Sequence, residues 1–318
     1  MKAAVLDKFG PSSVMEVREV PKPKINADQV LVEVAAAGVN PIDWKIREGW
    51  MSERFGSEFP MILGFDAAGT VAEVGANVTG FQPGDPVFAR SNVGPGGCYA
   101  EFAAIDANTV APKPDALNDD EAAAMPLAAL TALNGLREVG RLQAGQRVLI
   151  NGAVGGVGVY AIQIAKNMGA HVTGVCSTYN VELARELGAD EVIDYRQQNP
   201  LASGQTWDVI YDTVGYLQHS EARECLTPDG VYITLVPVEG IEFFIPGQTE
   251  IKPRGGYFLV WVPTAADLLI LADWVEAGKL HSVIDSIYPL ELVRDAHERS
   301  QTERARGKIV LRIIPETA

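Results

Sequence analysis

The stretch RVLINGAVGGVGVYAIQIAKNMGAHVTGVCSTYN, residues 147–180, predicts a buried strand, a glycine-rich turn, a helix and a second strand in immediate succession. In this turn Gly155 allows the backbone to approach a pyrophosphate, and Gly158 allows the helix to pack closely on the strand. Ala153 stands where the first glycine of the fingerprint is usual, and it is small enough for the tight turn. Free N–H groups at the helix N-terminus favour phosphate. The stretch therefore predicts a dinucleotide-binding unit; the alternative is a glycine-rich loop without a ligand.

The second strand of this unit ends without the acidic residue that bonds the ribose 2′-hydroxyl in NAD sites. Cys176 stands there instead. A carboxylate about 4 Å from a 2′-phosphate would repel it by roughly 4 kcal/mol at an effective dielectric of about 20, and its absence removes that barrier. Ser177 and Thr178 can donate hydrogen bonds to phosphate oxygens, as can Tyr195 at the end of the next strand. The sequence therefore favours NADPH over NADH.

The remainder of the chain divides into a strand-rich part and an alternating part. Segments 30–39 (VLVEVAAAGV) and 96–105 (GGCYAEFAAI) alternate like half-buried strands, and many short strands predict a small β-barrel or sandwich. Strands and helices then alternate up to a last strand at 255–263 (GGYFLVWVP), which predicts a doubly wound parallel sheet. We therefore predict an α/β protein in which residues 1–120 and 263–318 form a β-rich domain and residues 121–262 an inserted NADP-binding Rossmann domain.

Composition excludes several classes of protein. The 318 residues carry a net charge of -15, which argues against nucleic-acid partners and anionic membrane surfaces. Three cysteines lie far apart (Cys98, Cys176 and Cys225), without the clusters that build a zinc lobe or a disulfide framework. The start, MKAAVLDKFG, is typical of a strand and not of a signal peptide, and no apolar run approaches the ~20 residues of a membrane span. A cytoplasmic location is expected.

Several motifs follow one another along the chain in a specific order. They are GVNPIDWKIREG (38–49), ILGFDAAGTV (62–71), PGDPV (83–87), GGCYAEFA (96–103), PLAALTAL (126–133), NGAVGGVG (151–158), LGADEVIDY (187–195) and ARGKIVLRI (305–313). With these motifs the sequence resembles the zinc-free quinone oxidoreductase branch of the medium-chain dehydrogenases/reductases, which includes zeta-crystallin-like and enone-reducing members. The resemblance implies a GroES-like catalytic domain interrupted by a Rossmann domain, in agreement with the split domain predicted above.

The resemblance also implies the absence of a catalytic metal. Zinc-dependent relatives use a Cys and a His at positions that correspond to Asn40 and Phe65, with a third ligand near Leu127. Asn is a poor zinc ligand, and Phe and Leu are none. Without zinc to polarise the alcohol oxygen, an alcohol dehydrogenase activity is disfavoured.

The family pattern implies cofactor contacts by position. The residues concerned are Asn40 and Thr131 near the nicotinamide; Ala153, Gly155, Gly156, Val157 and Lys308 around the pyrophosphate; Ser177, Tyr179 and Tyr195 at the adenosine phosphate; and Leu235, Phe258 and Val260 at the ribose–nicotinamide end. Tyr179 departs from the pattern, because close relatives often carry an Arg there that would clamp the 2′-phosphate. The nearest cations are Arg185 and Arg196, whose directions the sequence does not give.

Lys45 is the first candidate for a catalytic residue. Enone-reducing relatives have Lys in the pattern Asn-Pro-x-Asp-x-Lys, which residues 40–45 match. Such a lysine can bond the nicotinamide ribose, and it can donate to an enone oxygen as negative charge develops there. The alternative is a lysine paired with Asp43 or simply exposed. The candidate catalytic residues are Lys45, Asn40, Asp43 and Tyr99, with Lys45, Tyr99 and solvent as possible proton donors in that order.

The reaction expected from these features is hydride transfer from NADPH to a quinone or an α,β-unsaturated carbonyl compound, both small-molecule substrates. Two alternatives remain open at this point: an enoyl-thioester reductase, and a non-catalytic NADPH-binding sensor or structural protein. The resemblance further implies a homodimer joined at sheet edges, for which residues 255–262 (GGYFLVWV) supply an apolar strand.

Overall fold

The computed structural model describes residues 1–259 and 264–314. The chain divides into two units, one formed by Met1–Leu130 with Pro263–Ala318 and the other by Thr131–Val262. The first boundary lies later than the expected 120/121, because the helix Asp119–Ala124 packs against strands of the first unit. That helix begins as its sequence predicts, since the Asn118 side chain accepts from the Glu121 amide at 2.9 Å.

The helices and strands are distributed over both units. The strands are β1 (Lys2–Leu6), β2 (Met15–Glu19), β3 (Gln29–Val39), β4 (Met61–Ile62), β5 (Asp66–Val74), β6 (Pro86–Arg90), β7 (Phe102–Asp106), β8 (Val110–Pro112), β9 (Arg147–Asn151), β10 (His171–Cys176), β11 (Glu191–Asp194), β12 (Trp207–Asp212), β13 (Leu226–Thr234), β14 (Glu242–Phe244), β15 (Gly256–Leu259), β16 (Ile284–Pro289) and β17 (Lys308–Arg312). The helices are α1 (Pro41–Arg47), α2 (Ser52–Phe55), α3 (Asp119–Ala124), α4 (Pro126–Asn134), α5 (Gly158–Asn167), α6 (Val181–Glu186), α7 (His219–Glu224), α8 (Ala265–Glu276) and α9 (Val293–Gln301). No helix among the described residues is long and apolar enough to cross a membrane.

The first unit is rich in strands, which confirms the predicted β-rich domain. Its larger sheet has the order β16-β17-β3-β5-β6-β8, with β7 also on β3, and a smaller sheet has the order β2-β1-β4. The central strand β3 pairs along both edges and contacts α3, so that only Glu33 of the strand is exposed. The half-buried alternation predicted for residues 30–39 is therefore wrong. The strand predicted at 96–105 begins only at Phe102, since the φ angles of Gly96 and Gly97 are +107° and +82°.

The second unit contains the predicted parallel sheet. Its order is β11-β10-β9-β12-β13-β15-β14, and every neighbouring pair is parallel. From β9 the chain builds outward through β10 and β11, and then returns to β12 on the other side of β9. The strand order thus reverses between β9 and β12, which is where doubly wound sheets bind ligands outside the carboxyl ends of their strands.

The expected dimerisation strand does not lie at the edge of this sheet. β15 pairs with β13 on one side and with β14 on the other, so its backbone groups are already engaged within the chain. The outermost strand on this side is β14, whose Phe243 packs edge-on against Phe258 of β15 at 5.2 Å between ring centroids. The sequence interpretation of residues 255–262 as a free edge is therefore wrong for the described part, Gly256–Leu259.

Candidate cofactor and hydride-transfer site

The glycine turn follows β9 at the switch point of the sheet. Gly152 has a φ of +77°, and the amides of Gly152 and Ala153 both donate to the Val175 carbonyl, at 3.2 and 3.0 Å. A Cβ on Gly158 would lie 2.1 Å from the Gly152 oxygen, so only glycine fits where α5 begins. A Cβ on Gly155, by contrast, would meet its nearest neighbour atom at 3.4 Å. Gly158 is thus required by packing as the sequence predicts, whereas a Cβ on Gly155 would make only an ordinary van der Waals contact.

Backbone donors in this turn have no partner within the protein. Gly156 and Val157 are partly exposed, and their amides make no hydrogen bond to any described residue. They immediately precede α5, whose ten residues bear no acidic side chain in the first turn. Unengaged amides and the positive end of a helix are what a pyrophosphate requires. The residues present therefore fit a dinucleotide.

A buried carboxylate, Asp212, holds the strand ends around this turn. Its Oδ1 accepts hydrogen bonds from the Asn151 side chain at 2.8 Å and the Gly215 amide at 2.9 Å. Its Oδ2 accepts from the Leu217 amide and the Tyr232 hydroxyl, both at 2.9 Å. Asp212 thereby joins the ends of β9, β12 and β13. Sequence reasoning missed this residue, although an acid that closes the buried strand WDVIYD is a usable signal.

A second carboxylate stands beside the position where the sequence lacks an acid. Asp194 of β11 pairs in register with Cys176 of β10. It accepts from the Thr178 hydroxyl at 2.6 Å, the Gln197 side chain at 2.8 Å and the Arg196 amide at 3.0 Å. These bonds, that of Thr178 first, lower the pKa of Asp194 below its ordinary value. The prediction that Thr178 donates to a phosphate is therefore wrong, because its hydroxyl is engaged by an ionised neighbour.

The other predicted adenosine contacts lie exposed at the same strand ends. Tyr179 is 81% exposed and Tyr195 54% exposed. The Ser177 hydroxyl oxygen accepts from the Asn180 side chain at 3.2 Å, which leaves its own hydrogen free to donate. The guanidinium of Arg196 lies 5.6 Å from the centre of the Tyr179 ring. Next to them is a pocket of about 540 Å³, lined by Thr178, Val181, Arg185, Val192, Asp194, Gln197 and Gln198.

The remaining predicted contacts of this unit have structural partners. The Thr131 carbonyl accepts from the Tyr211 hydroxyl at 2.8 Å. Leu235 follows β13 and donates its amide to the Asp212 carbonyl at 3.2 Å, at the carboxyl end of the strands. Phe258 lies on β15 beside Phe243. Val260 falls outside the described residues.

In the first unit, the predicted residue Asn40 is enclosed at the start of α1. It is 1% exposed, and its amide nitrogen donates to Asp66 Oδ2 at 2.9 Å. Its side-chain oxygen accepts from the Lys308 ammonium, which also donates to the Val39 carbonyl at 3.2 Å. Both ends of the Asn40 side chain are thus engaged. The expected role of Lys308 at a pyrophosphate is corrected, since its ammonium is buried and bonded to Asn40 and Val39.

Lys308 and Asp66 form a buried ion pair within this cluster. Lys308 Nζ lies 3.8 Å from Asp66 Oδ2, and both side chains are buried. Burial raises the pKa of Asp66, and the Lys308 charge counteracts that rise. Burial likewise lowers the pKa of Lys308, which Asp66 counteracts. The pair is held by mutual attraction inside the protein, where an unpaired charge would be costly.

Asp43 and Tyr99 form a second buried pair next to Asn40. The Tyr99 hydroxyl donates to Asp43 Oδ2 at 2.6 Å, and the backbone N–H of Asn40 donates to the same oxygen at 2.7 Å. Both side chains are 0% exposed. Burial raises the pKa of Asp43 to about 7, against the opposing effect of the Tyr99 hydrogen bond. The prediction of Tyr99 as a proton donor is therefore wrong in its geometry: its hydroxyl faces Asp43, and the pair positions the first turn of α1.

Lys45 differs from these neighbours because its ammonium makes no hydrogen bond or ion pair to a described residue. Asp43 has Asn40 and Tyr99 as partners, so the alternative of a Lys45–Asp43 pair is wrong. Lys45 Nζ lies 5.5 Å from the Trp44 ring centre. Partial burial lowers the pKa of Lys45, and the Glu303 charge works in the opposite direction.

The positions that correspond to zinc ligands converge on Asp66. Asn40 donates to one Asp66 oxygen, and the Leu127 amide donates to the other at 2.8 Å. Phe65 immediately precedes Asp66, and the Arg90 guanidinium lies 5.0 Å from its ring centre. The side chains offer no zinc donor set, and the ammonium of Lys308 lies among them. These residues do not fit a zinc ion.

Comparison with known proteins agrees with this geometry. Residues 26–115 match the family model of the alcohol dehydrogenase GroES-like domain, and residues 187–311 match the model described as zinc-binding dehydrogenase. The chain is 35% identical to the human mitochondrial NAD(P)H oxidoreductase RTN4IP1, over 99% of this chain and 89% of that protein. It is 34% identical to a chloroplast envelope quinone oxidoreductase homolog of Arabidopsis thaliana, over 95% of each. It is 35% identical to the 2-methylene-furan-3-one reductase of Solanum lycopersicum, over 99% of this chain and 80% of that one.

Solved structures show the same fold along the whole chain. The quinone oxidoreductase from Coxiella burnetii superposes with a TM-score of 0.88 at 31% identity, over 99% of both chains. A mycobacterial protein solved in complex with NADPH superposes with a TM-score of 0.81 at 26% identity, over 98% of this chain and all of that one. The chain therefore belongs to the medium-chain dehydrogenase/reductase superfamily, in its zinc-free quinone oxidoreductase branch. This confirms the resemblance and the fold class predicted from the sequence.

Proposed function

We propose that this protein is a zinc-independent reductase that transfers a hydride from NADPH to quinones or α,β-unsaturated carbonyl compounds. The observation that carries the proposal is the presence of unengaged donors at both sets of predicted contacts: the amides of Gly156 and Val157, and the ammonium of Lys45. The names of the relatives support it, since they include quinone oxidoreductases and a furanone reductase. The mycobacterial neighbour that binds NADPH supports the choice of cofactor.

When bound, NADPH supplies the hydride from its nicotinamide ring, and the chain supplies binding and charge. The amides of Gly156 and Val157 bind the pyrophosphate. Lys45 donates a hydrogen bond to the carbonyl oxygen of the acceptor, where negative charge develops as the double bond is reduced. The buried Asp43–Tyr99 pair and the capped start of α1 hold the helix that carries Lys45 in place. Lys45 or solvent then provides the proton.

NADPH oxidation with a panel of acceptors tests this function. We expect acceleration by quinones and by small enones, measured as the loss of NADPH absorbance, and little change with enoyl thioesters. Faster turnover of enoyl thioesters than of every quinone and enone would replace the proposal with a thioester reductase. NADPH binding without acceleration by any acceptor would replace it with a non-catalytic role.

A homodimer and a cytoplasmic location complete the proposal. The exposed Phe243 on the outer strand β14 is 57% accessible, which supports pairing through this strand. Sedimentation equilibrium of the wild type and of Phe243→Lys tests the dimer, and a wild-type monomer would refute it.

The relatives from human and Arabidopsis are a mitochondrial and a chloroplast envelope protein by name. Cell fractionation tests the location.

A further inference from the structure

The ends of β10 and β11 bring an arginine and a tyrosine together. Because Cys176 and Asp194 are paired in register, the residues that follow these two strands are neighbours. Tyr179 follows β10 and Arg196 follows β11, and the guanidinium lies 5.6 Å from the centre of the ring. This is within the distance at which a cation is attracted to an aromatic face. Tyr179 thus restricts the positions that the Arg196 side chain adopts at an exposed site.

The guanidinium of Arg196 has no hydrogen bond or ion pair to any described residue, although its backbone amide donates to Asp194. The rival cation, Arg185, is engaged differently. Its guanidinium pairs with Glu182 at 3.4 Å, and it lines the pocket whose wall includes the Asp194 carboxylate. The Arg196 charge also lowers the pKa of Asp194, so this carboxylate acts on both arginines and does not distinguish them. Because the Arg185 guanidinium is paired with Glu182 and the Arg196 guanidinium has no such partner among the described residues, the donors of Arg196 offer the better anion site at this end of the sheet.

We propose, on the basis of the NADPH-dependent function above, that Arg196, held against the Tyr179 ring, binds the adenosine 2′-phosphate and determines the preference for NADPH over NADH. A guanidinium matches two phosphate oxygens with parallel N–H groups. The hydroxyls of Ser177 and Tyr195 lie at the same strand ends and add neutral donors. In this chain Tyr179 stands where relatives often carry an Arg. The cation is instead supplied by Arg196, which follows the neighbouring strand β11.

Equilibrium binding to the full-length protein tests the proposal without turnover. Dissociation constants for NADPH, NADH, 2′,5′-ADP and 5′-AMP are measured by calorimetry for the wild type, Arg196→Ala, Arg196→Lys and the control Arg185→Ala. We expect Arg196→Ala to weaken NADPH and 2′,5′-ADP by about tenfold or more, with NADH and 5′-AMP within about twofold of the wild type. Arg196→Lys retains the positive charge but loses the two parallel N–H donors of the guanidinium. Its affinity for NADPH and 2′,5′-ADP should lie between those of the wild type and Arg196→Ala. Arg185→Ala binds all four ligands like the wild type.

The outcomes separate this proposal from the function on which it rests. A wild type that binds NADPH and NADH equally overturns the NADPH-dependent function itself. A wild type that prefers NADPH, together with an Arg196→Ala variant that keeps this preference, overturns the role of Arg196 and leaves the function intact. If Arg196→Ala weakens the binding of NADPH and of NADH equally, the role of Arg196 is also overturned. Thermal unfolding of each variant verifies that these exposed substitutions leave the fold unchanged.

Discussion

The glycine turn of residues 152–158 and the cluster of Asn40, Asp66 and Lys308 use their polar groups in opposite ways. In the turn, the amides of Gly156 and Val157 have no partner among the described residues, and both residues are partly exposed. In the cluster, both ends of the Asn40 side chain are bonded and every member is buried. Both regions matched family motifs, yet only the first keeps backbone donors without a partner among the described residues. A matched position therefore indicates a binding role only when its donors remain unengaged.

The buried cluster is broken most severely by removing its cation. Lys308→Met leaves the Asp66 charge buried without its partner, and we expect the free energy of unfolding to fall by about 3–5 kcal/mol. Urea unfolding measures this, with the exposed Lys24→Met as the control. The double variant Lys308→Met/Asp66→Asn should regain part of the loss, because the unpaired charge is gone. A single variant as stable as the control would show that the cluster contributes nothing.

A single methyl group added at Gly158 should disrupt the glycine turn. Gly158→Ala places a Cβ 2.1 Å from the Gly152 oxygen, and we expect a loss of about 1–3 kcal/mol in stability together with weaker NADPH binding. The matched variant Gly155→Ala meets its nearest protein atom at 3.4 Å, so its stability should change by less than about 0.5 kcal/mol. Its methyl group enters the space beside the pyrophosphate, and NADPH affinity should fall. If Gly155→Ala bound NADPH normally, that space would not be the phosphate site.

Lys45 tests whether an unengaged donor in the first unit takes part in the reaction. Lys45→Ala should lower kcat by about 10- to 100-fold, because the developing charge on the acceptor oxygen loses a donor. NADPH affinity, measured by calorimetry, should change much less. The exposed Lys8→Ala serves as the control. Unchanged turnover in Lys45→Ala would remove the residue from the mechanism.

The last prediction concerns the pH dependence of stability and the buried Asp43. The pKa of Asp43 is raised to about 7, above the ordinary value of 3.8, so between these values the folded protein holds a proton that the unfolded chain has released. Stability therefore falls as pH rises through this window, by up to ~1.4 kcal/mol per pH unit from this group. Asp43→Asn should flatten the slope relative to the wild type in urea unfolding between pH 4 and 7. Parallel slopes would contradict the assignment.

The parts of the fold and site that the sequence predicts are those set by local patterns. The strand RVLIN, the turn and α5 follow from apolar periodicity and from Gly158, whose neighbours lie a few residues away. Asn40 and Lys308 are 268 residues apart in the chain, and no local sequence pattern predicts the hydrogen bond between them. The same holds for Thr178, which follows β10, and Asp194, which ends β11. Burial of β3 also depends on neighbours from distant segments, which explains why its alternation was predicted incorrectly.

The carboxylate of Asp212 has a consequence for the loop that follows β12. Its bonds to the amides of Gly215 and Leu217 order the backbone beside the switch point without a ligand. Fixing a residue's backbone costs roughly 1–2 kcal/mol in conformational entropy, and here folding has already met that cost before any encounter. This part of the loop is therefore ordered before any ligand binds at the switch point.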